Sequence, residues 1–282
     1  KTSNYGENWK SIAANLPNEP INVIREDHKN PKLLFVGTDR TIHVSIDGGL
    51  RWHEMKNNLP TIPVHDLVIH PRENDLVVGT HGRGFYITDI TPLQELNKDL
   101  LNQDVHLFKI MPKVQWIMPS QKAVADQNFE GENEPYGPVI YYYLKKEISN
   151  AIELSVYDGQ NRINVLKGTS KKGLNSIMWG MTKRGRERSP KEISDWDKEV
   201  ATGEIEPFYD YYDTNEHFGS PEEEVGITGL SLRTRVAWEP GMRGREYEYQ
   251  RVQPGTYKIV LNVNDKKFEQ EAIIMQDYWY NQ

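Results

Sequence analysis

Short apolar runs separated by turn residues make up most of this 282-residue chain, and few stretches show the periodicity of an amphipathic helix. Runs of this length, bounded by Gly, Pro, Asn and Asp, predict short β-strands and an all-β fold. Over residues 1–90 we predict a group of four strands and then a group of three, near 20–27, 32–39, 41–47 and 51–56 and near 63–70, 75–81 and 84–90.

A repeat with an offset of 43 residues runs through the same region. The segment TSNYGENWKSIAANLP at 2–17 aligns without gaps on SIDGGLRWHEMKNNLP at 45–60. The matched positions are Thr2, Asn4, Gly6, Trp9, Leu16 and Pro17 against Ser45, Asp47, Gly49, Trp52, Leu59 and Pro60. The offset is close to the ~40–45 residues of a four-stranded propeller blade.

The motif at 45–52 is predicted to hold a turn. Asp47 can accept hydrogen bonds from backbone N–H groups that follow it, and Gly48 and Gly49 tolerate positive φ. Ser45 can cap the same turn, while Trp52 buries a large ring against the layer beneath. We therefore interpret the two copies of the motif as structural.

S-x-D-x-G-x-x-W at 45–52 resembles the Asp-box (BNR) repeat of sialidases, sortilin-type VPS10 domains and some xyloglucan-active glycosidases. The segment GTHGRGFYITDITPLQEL at 79–96 is similar to the end of the propeller in bacterial exported proteins described as sortilin-like or glycosyl-hydrolase BNR-repeat proteins. Arg51 stands where the family has Thr, and Asn4 replaces Asp in the first copy. The resemblance implies that the Asp boxes are turn staples away from a central site.

The same resemblance implies that residues 1–90 are the C-terminal blades of a larger β-propeller. One whole blade and two partial ones do not close a ring, and a propeller closes its ring to protect its strand edges. We expect the remaining blades on the same or another chain. The resemblance also implies a location outside the cytoplasm, in the periplasm, on the cell surface or secreted.

The second half is predicted to be a β-sandwich that follows a helix-and-linker region at 91–137, with the helix at 91–103 and the linker at 119–137. Apolar runs resume at 138–146, 150–168, 173–181 and 254–275. The hairpin turns Asp158-Gly159 and Asn264-Asp265 separate alternating runs. G-x-N-x-x-x-W at 173–179 and PGTYKI at 254–259 resemble the Ig-like domain that follows the propeller in the same bacterial family. This domain spans 138–282, with an acidic and aromatic insertion at about 182–252.

Composition excludes several classes of function. The net charge of −7 argues against a nucleic-acid partner, because such proteins usually present a basic face. The chain has no cysteine, so disulfides and thiol nucleophiles are excluded. No run of about 18 apolar residues is present, so no membrane span is predicted.

His81 and Arg83 are candidate binding residues, since Arg is the natural clamp for a carboxylate. The competing interpretation, which we favour, is a tight turn that needs Gly82 and Gly84. His65 and His70 lie in one predicted strand at an odd separation, which places them on opposite faces and argues against a shared metal.

The insertion holds the second candidate binding cluster, Tyr209, Tyr211, Tyr212 and Phe218, with Phe208 beside it. Such rings can stack on sugars or on a partner peptide, or simply anchor the insertion. The pairs Asp195 with Asp197 and Asp210 with Asp213 can offer carboxylates to calcium, but their spacing lacks a regular calcium loop, which favours a solvated face. We predict no metal or other cofactor.

Every specific motif is architectural, and no nucleophile, base and acid set is visible. We therefore predict an exported bacterial protein that binds a protein or glycan ligand at the cell envelope. A glycoside hydrolase, sialidase-like or xyloglucanase-like, with its active centre in further blades is the first alternative, and a subunit of a larger envelope complex is the second.

Overall fold

The computed structural model describes residues 1–55, 59–116, 135–202 and 247–278. Seventeen β-strands and three helices form within these residues, so the prediction of an all-β protein is confirmed. None of these helices has the length and apolar character that crossing a bilayer requires.

The first half contains two antiparallel sheets whose strands lie where the apolar runs predict them. The strands are β1 (Ile21–Glu26), β2 (Leu34–Thr38), β3 (Ile42–Ser45), β4 (His53–Glu54), β5 (Val64–Ile69), β6 (Asp75–Thr80) and β7 (Phe85–Asp89). The first sheet has the order β1-β2-β3-β4 and the second the order β5-β6-β7. Each sheet carries a β-bulge at the same place in its first strand, between Ile21 and Val23 and between Val64 and Asp66.

The two sheets pack face to face around a common core. Phe35 and Val44 of the first sheet and Leu67 and Val78 of the second are fully buried in it. The other face of the first sheet is also covered, because the segment around Ile12 packs on it. Strand β2 is consequently buried on both faces, which explains its continuous apolar run.

The predicted helix at 91–103 is two short helices, α1 (Thr91–Glu95) and α2 (Lys98–Asn102). The division occurs at Asn97, whose side chain accepts a hydrogen bond from the Leu100 N–H at 2.9 Å and so caps a new helix. Leu93 and Leu96 join the core of the two sheets.

The second half forms two further sheets and a ribbon. Its elements are β8 (Val105–Leu107), β9 (Lys113–Gln115), β10 (Val139–Leu144), β11 (Ile152–Asp158), β12 (Asn161–Gly168), β13 (Gly173–Met178), β14 (Thr182–Glu187), α3 (Pro190–Thr202), β15 (Tyr247–Arg251), β16 (Gly255–Val263) and β17 (Lys266–Gln276). The third sheet has the order β13-β10-β8, and the fourth has the order β12-β11-β16-β17-β9.

A second core lies between the third and fourth sheets. The ring of Trp179 is fully buried and meets the ring of Tyr257 edge-on, with 5.1 Å between ring centroids. The Trp179 Nε1–H donates to the Thr182 carbonyl at 3.0 Å, which satisfies its polar atom. Strand β14 pairs with β15, so the two ends of the acidic insertion leave and rejoin the fold side by side.

Candidate functional site at the strand ends

The turn at 45–51 is held by its own side chains. The Ser45 hydroxyl donates to the Asp47 carboxylate at 2.9 Å and accepts from the Gly49 N–H at 2.9 Å. The same carboxylate accepts from the Arg51 N–H at 2.9 Å. Trp52 follows and is only 2 % exposed. One carboxylate oxygen of Asp47, Oδ1, is therefore engaged twice within the turn.

The first copy of the motif has the same turn. The Thr2 hydroxyl donates to the Asn4 side-chain oxygen at 2.9 Å and accepts from the Gly6 N–H at 2.9 Å. The Asn4 oxygen accepts from the Asn8 N–H at 3.0 Å. An amide oxygen thus replaces the carboxylate without loss of the hydrogen-bond pattern, but Trp9 is 75 % exposed.

The opposite end of the sheets carries a different set of side chains. Strand β3 runs from the β2–β3 turn to the Asp-box turn, so these two turns lie at opposite ends of the first sheet. The β2–β3 turn and the β6–β7 turn lie at the same end, because adjoining residues bond to both. The Ile62 N–H donates to the Arg40 carbonyl at 2.9 Å, and the His81 N–H donates to the Pro63 carbonyl at 3.0 Å.

His65 and His81 are brought together at this end, with their ring centroids 5.3 Å apart and an interplanar angle of 64°. His65 is the residue at the β-bulge between Val64 and Asp66, where a bulge re-aims a side chain. Both histidines are exposed. We name His65, His81 and Arg83 the strand-end cluster.

Arg83 lies at the tip of the β6–β7 turn between two glycines. Gly82 and Gly84 have φ of 76° and 71°, and a Cβ at either would meet nothing within 4 Å, so backbone conformation is the reason for glycine there. The Thr80 hydroxyl closes the turn by donating to the Gly84 carbonyl at 2.7 Å. Arg83 is exposed, and none of the residues that the structure describes pairs with its guanidinium.

The first sheet places a matching polar pair at the same position. Asn22, the counterpart of His65, donates from its side-chain amide to the carboxylate of Asp39, the counterpart of His81, at 2.9 Å. Between the two sheets, Arg25 contacts Asp66 at 2.7 Å. The carboxylate of Asp66 is thereby paired with Arg25, whereas the guanidinium of Arg83 has no partner among the described residues.

The strand-end cluster can bind an anion. A guanidinium offers paired N–H donors that match a carboxylate in a bidentate geometry. An imidazole donates or accepts according to its tautomer, and both ring nitrogens donate when it is protonated. Groups of three or more His, Asp or Glu side chains that could hold a metal ion are absent from the described part of the chain.

A partly buried acid and phenol join the two halves of the molecule at the end of β7. The Asp89 carboxylate accepts from the Thr91 N–H at 2.8 Å and is hydrogen-bonded to the phenol of Tyr141 in β10. Burial raises the pKa of Asp89, and burial together with the nearby carboxylate raises the pKa of Tyr141 well above its usual value. The raised pKa of Tyr141 favours its protonated phenol, which can donate to the Asp89 carboxylate.

The other candidate residues are dispersed or lie outside the described residues. His70 follows β5 and accepts at Nδ1 from the Glu73 N–H at 3.2 Å. Asp195 pairs with Lys198 at 3.3 Å on α3, where Asp195 and Asp197 are two residues apart and do not face each other. The structure does not describe Phe208, Tyr209, Asp210, Tyr211, Tyr212, Asp213 and Phe218.

His65 is the residue that sequence reasoning missed. Strict alternation along the strand predicts only that His65 and His70 lie on opposite faces. It does not predict that His65 lies near His81, because the sequence pattern does not reveal the β-bulge that directs His65 toward the β6–β7 turn. The repeat offers the missing signal, since His65 and His81 occupy the positions of Asn22 and Asp39 in the first sheet.

Comparison of the chain with protein-family models, with curated proteins and with solved structures finds no match.

Proposed function

We propose that this chain is a binding protein whose strand-end cluster takes a carboxylate-bearing glycan at the bacterial cell envelope. The observation that carries the proposal is Arg83, whose guanidinium is exposed and without a described partner beside the pair of His65 and His81. A bidentate contact with a sugar carboxylate would satisfy the guanidinium, and the imidazoles can bind neighbouring hydroxyls. The envelope location rests on the resemblance to exported BNR-repeat proteins.

We also propose that the first two sheets are consecutive blades of an Asp-box propeller and that the second half is an Ig-like sandwich. Three features of the first half support this: an equal bulge in each first strand, the same turn in each copy of the motif, and face-to-face packing of sheets built on a 43-residue offset. The sandwich proposal rests on the two sheets around the second core.

The open face of the second sheet supports further blades as partners. Ile42 of the first sheet is fully buried under the second sheet. Its counterpart in the second sheet is Phe85, which pairs with Gly79 as Ile42 pairs with Gly37, and Phe85 is 70 % exposed. Val68 on the same face is also exposed. A following blade would cover this face as the second sheet covers the first.

Calorimetric titration with two matched sugars tests the ligand. The full chain is titrated with a glucuronic-acid-terminated disaccharide and with the same disaccharide ending in glucose, so that the ligands differ only in the carboxylate. We expect the acidic sugar to bind more tightly. Arg83→Gln should weaken its binding by roughly 10- to 100-fold, since hydrogen bonds to charged groups contribute about 1.5–3 kcal/mol.

Arg72→Gln is the matched control, because Arg72 is an exposed arginine in the turn between β5 and β6, at the other end of the second sheet. It should leave the affinity unchanged. Equal binding of the two sugars, or equal affinities of the two variants, would contradict the proposal. Binding of an acidic peptide in place of the sugar would assign the cluster to a protein partner.

A further inference from the structure

The segment 12–16, which follows the first copy of the motif, binds the tryptophan of the second copy, and we call this set of contacts the clasp. The Trp52 indole N–H donates to the Ile12 carbonyl at 2.7 Å. The side chain of Asn15 accepts from the Trp52 backbone N–H at 2.8 Å and donates to the Trp52 carbonyl at 2.8 Å. Ile12 and Leu16 pack on the apolar cluster that contains the indole. The segment 12–16, which begins three residues after Trp9, thus supplies three hydrogen bonds to Trp52 and two apolar side chains that pack beside it.

Trp9 stands at the same place in its own copy and has no such clasp. Its turn is complete, yet its indole is 75 % exposed, and no described residue takes the role that Ile12 and Asn15 play for Trp52. Tryptophan is enriched among the residues that carry binding energy at protein interfaces.

We propose that Trp9 is the docking point of a further Asp-box repeat, which clasps it from the N-terminal side as the first copy clasps Trp52. In that repeat, the carbonyl at the position of Ile12 would accept a hydrogen bond from the Trp9 indole N–H. The side chain at the position of Asn15 would accept from the Trp9 backbone N–H and donate to the Trp9 carbonyl. This contact is head-to-tail and extends in one direction from repeat to repeat. The inference rests on the proposed repeat architecture and names the contact by which its units join.

A second copy of this chain is not the occupant that the structure favours. Within each chain, the second copy of the Asp-box repeat has a segment that corresponds to Ile12 and Leu16, and this segment begins at Met55 and includes Leu59. Both residues are buried in the core between the two sheets. The segment at Ile12 is itself engaged with Trp52. The occupant is therefore a further repeat with a free clasp.

A tandem variant of the full chain tests the proposal. A copy of residues 2–44 is placed directly before Thr2, in place of Lys1, so that Ile12 and Asn15 of the added copy stand to Trp9 as the natural ones stand to Trp52. The protein is labelled with 5-fluorotryptophan, and Trp9→Phe assigns the Trp9 resonance among those of the seven natural tryptophans. The ¹⁹F shift between H₂O and D₂O reports the exposure of each indole.

We expect the solvent-isotope shift of Trp9 to fall to that of Trp52 in the tandem variant, while the tryptophan of the added copy shows the exposed value. Asn15→Ala in the added copy should restore part of the Trp9 shift. Asn18→Ala in the added copy is the matched control, because Asn18 is exposed, and it should leave the shift low.

A Trp9 that stays exposed beside a folded added copy would overturn the proposal. An added copy that remains unfolded would overturn it too, because the same sequence folds against the second copy and would fold here if the surface around Trp9 accepted it. The sugar titration that reports on Arg83 concerns the opposite end of the sheets, so failure of the ligand proposal and failure of the docking proposal are distinguishable.

Discussion

The two copies of the Asp-box motif differ in their tryptophans far more than in their turns. Both turns have the same pattern of side-chain and backbone hydrogen bonds, although one uses Asn4 and the other Asp47. Trp52 is 2 % exposed and Trp9 is 75 % exposed. The motif therefore determines the turn, whereas the burial of the tryptophan depends on what another segment contributes.

The range of the contacts explains the difference. The bonds of each turn link residues no more than four positions apart, so the local sequence is sufficient to form them. The contacts of Trp52 reach Ile12 and Asn15, about forty residues earlier, and the apolar side chains of β2. Such contacts form only when a neighbouring unit is in place, as in repeat proteins generally.

The largest expected effect separates the two tryptophans. Trp52→Ala should lower the free energy of unfolding by about 3–5 kcal/mol, because it leaves a cavity in the apolar cluster on the first sheet. Trp9→Ala should change it by no more than about 0.5 kcal/mol, since an exposed side chain loses little. Urea unfolding of both variants measures the difference. Equal losses would show that Trp9 is buried in solution.

The strands could be predicted because their pattern is local. All seven strands of the first half lie where the apolar runs place them, and the repeat offset aligns the two sheets. The prediction of one helix at 91–103 was wrong, because the segment forms two helices. The apolar spacing continues through Asn97, but the side chain of Asn97 caps a new helix. A capping residue inside an apolar pattern is ambiguous in sequence, and the hydrogen bond decides it.

The candidate site could be predicted only in part. His81 and Arg83 were found because their flanking glycines identify a turn. Their neighbour His65 was not, since the bulge that directs it toward His81 arises from the pairing of two strands. The exposed state of Trp9 was equally invisible, because the motif around it is the same as that around Trp52. Tertiary neighbours determine both outcomes.

A smaller effect should separate the two turn residues. Asp47→Ala should lower the free energy of unfolding by about 1–2 kcal/mol through the lost hydrogen bonds of the turn. Asn4→Ala should cost less, because a neutral acceptor forms weaker bonds than a carboxylate and the turn is exposed. Asp47→Asn should lie between the wild type and Asp47→Ala. Thermal or urea unfolding ranks the three. A loss of sugar affinity in Asp47→Ala would contradict a purely structural role.

The smallest expected effect on stability concerns His43, which lies on the face of the first sheet that Ile12 and Leu16 cover. It pairs directly with Val36 and with Glu54, it is 7 % exposed, and its Nδ1 has no hydrogen-bond partner among the described residues. Burial lowers the pKa of His43, and the charges of Glu54 and Glu19 oppose this shift only in part. The counterpart position in the second sheet holds Tyr86, which pairs with Val78 as His43 pairs with Val36.

The lowered pKa sets the direction of the pH dependence. Above pH of about 6.5 the imidazole is neutral in both the folded and the unfolded chain, so it costs nothing. Below that value the unfolded chain binds a proton that the folded chain resists, so stability falls until the folded pKa is reached. The urea midpoint of the wild type should therefore decrease between pH 7.5 and 5.5 by more than that of His43→Gln, which retains a polar side chain but does not titrate. An equal decrease of the urea midpoint in the wild type and in His43→Gln would assign the pH dependence to other titratable groups. His43 would then not contribute to the difference between the first and the second sheet.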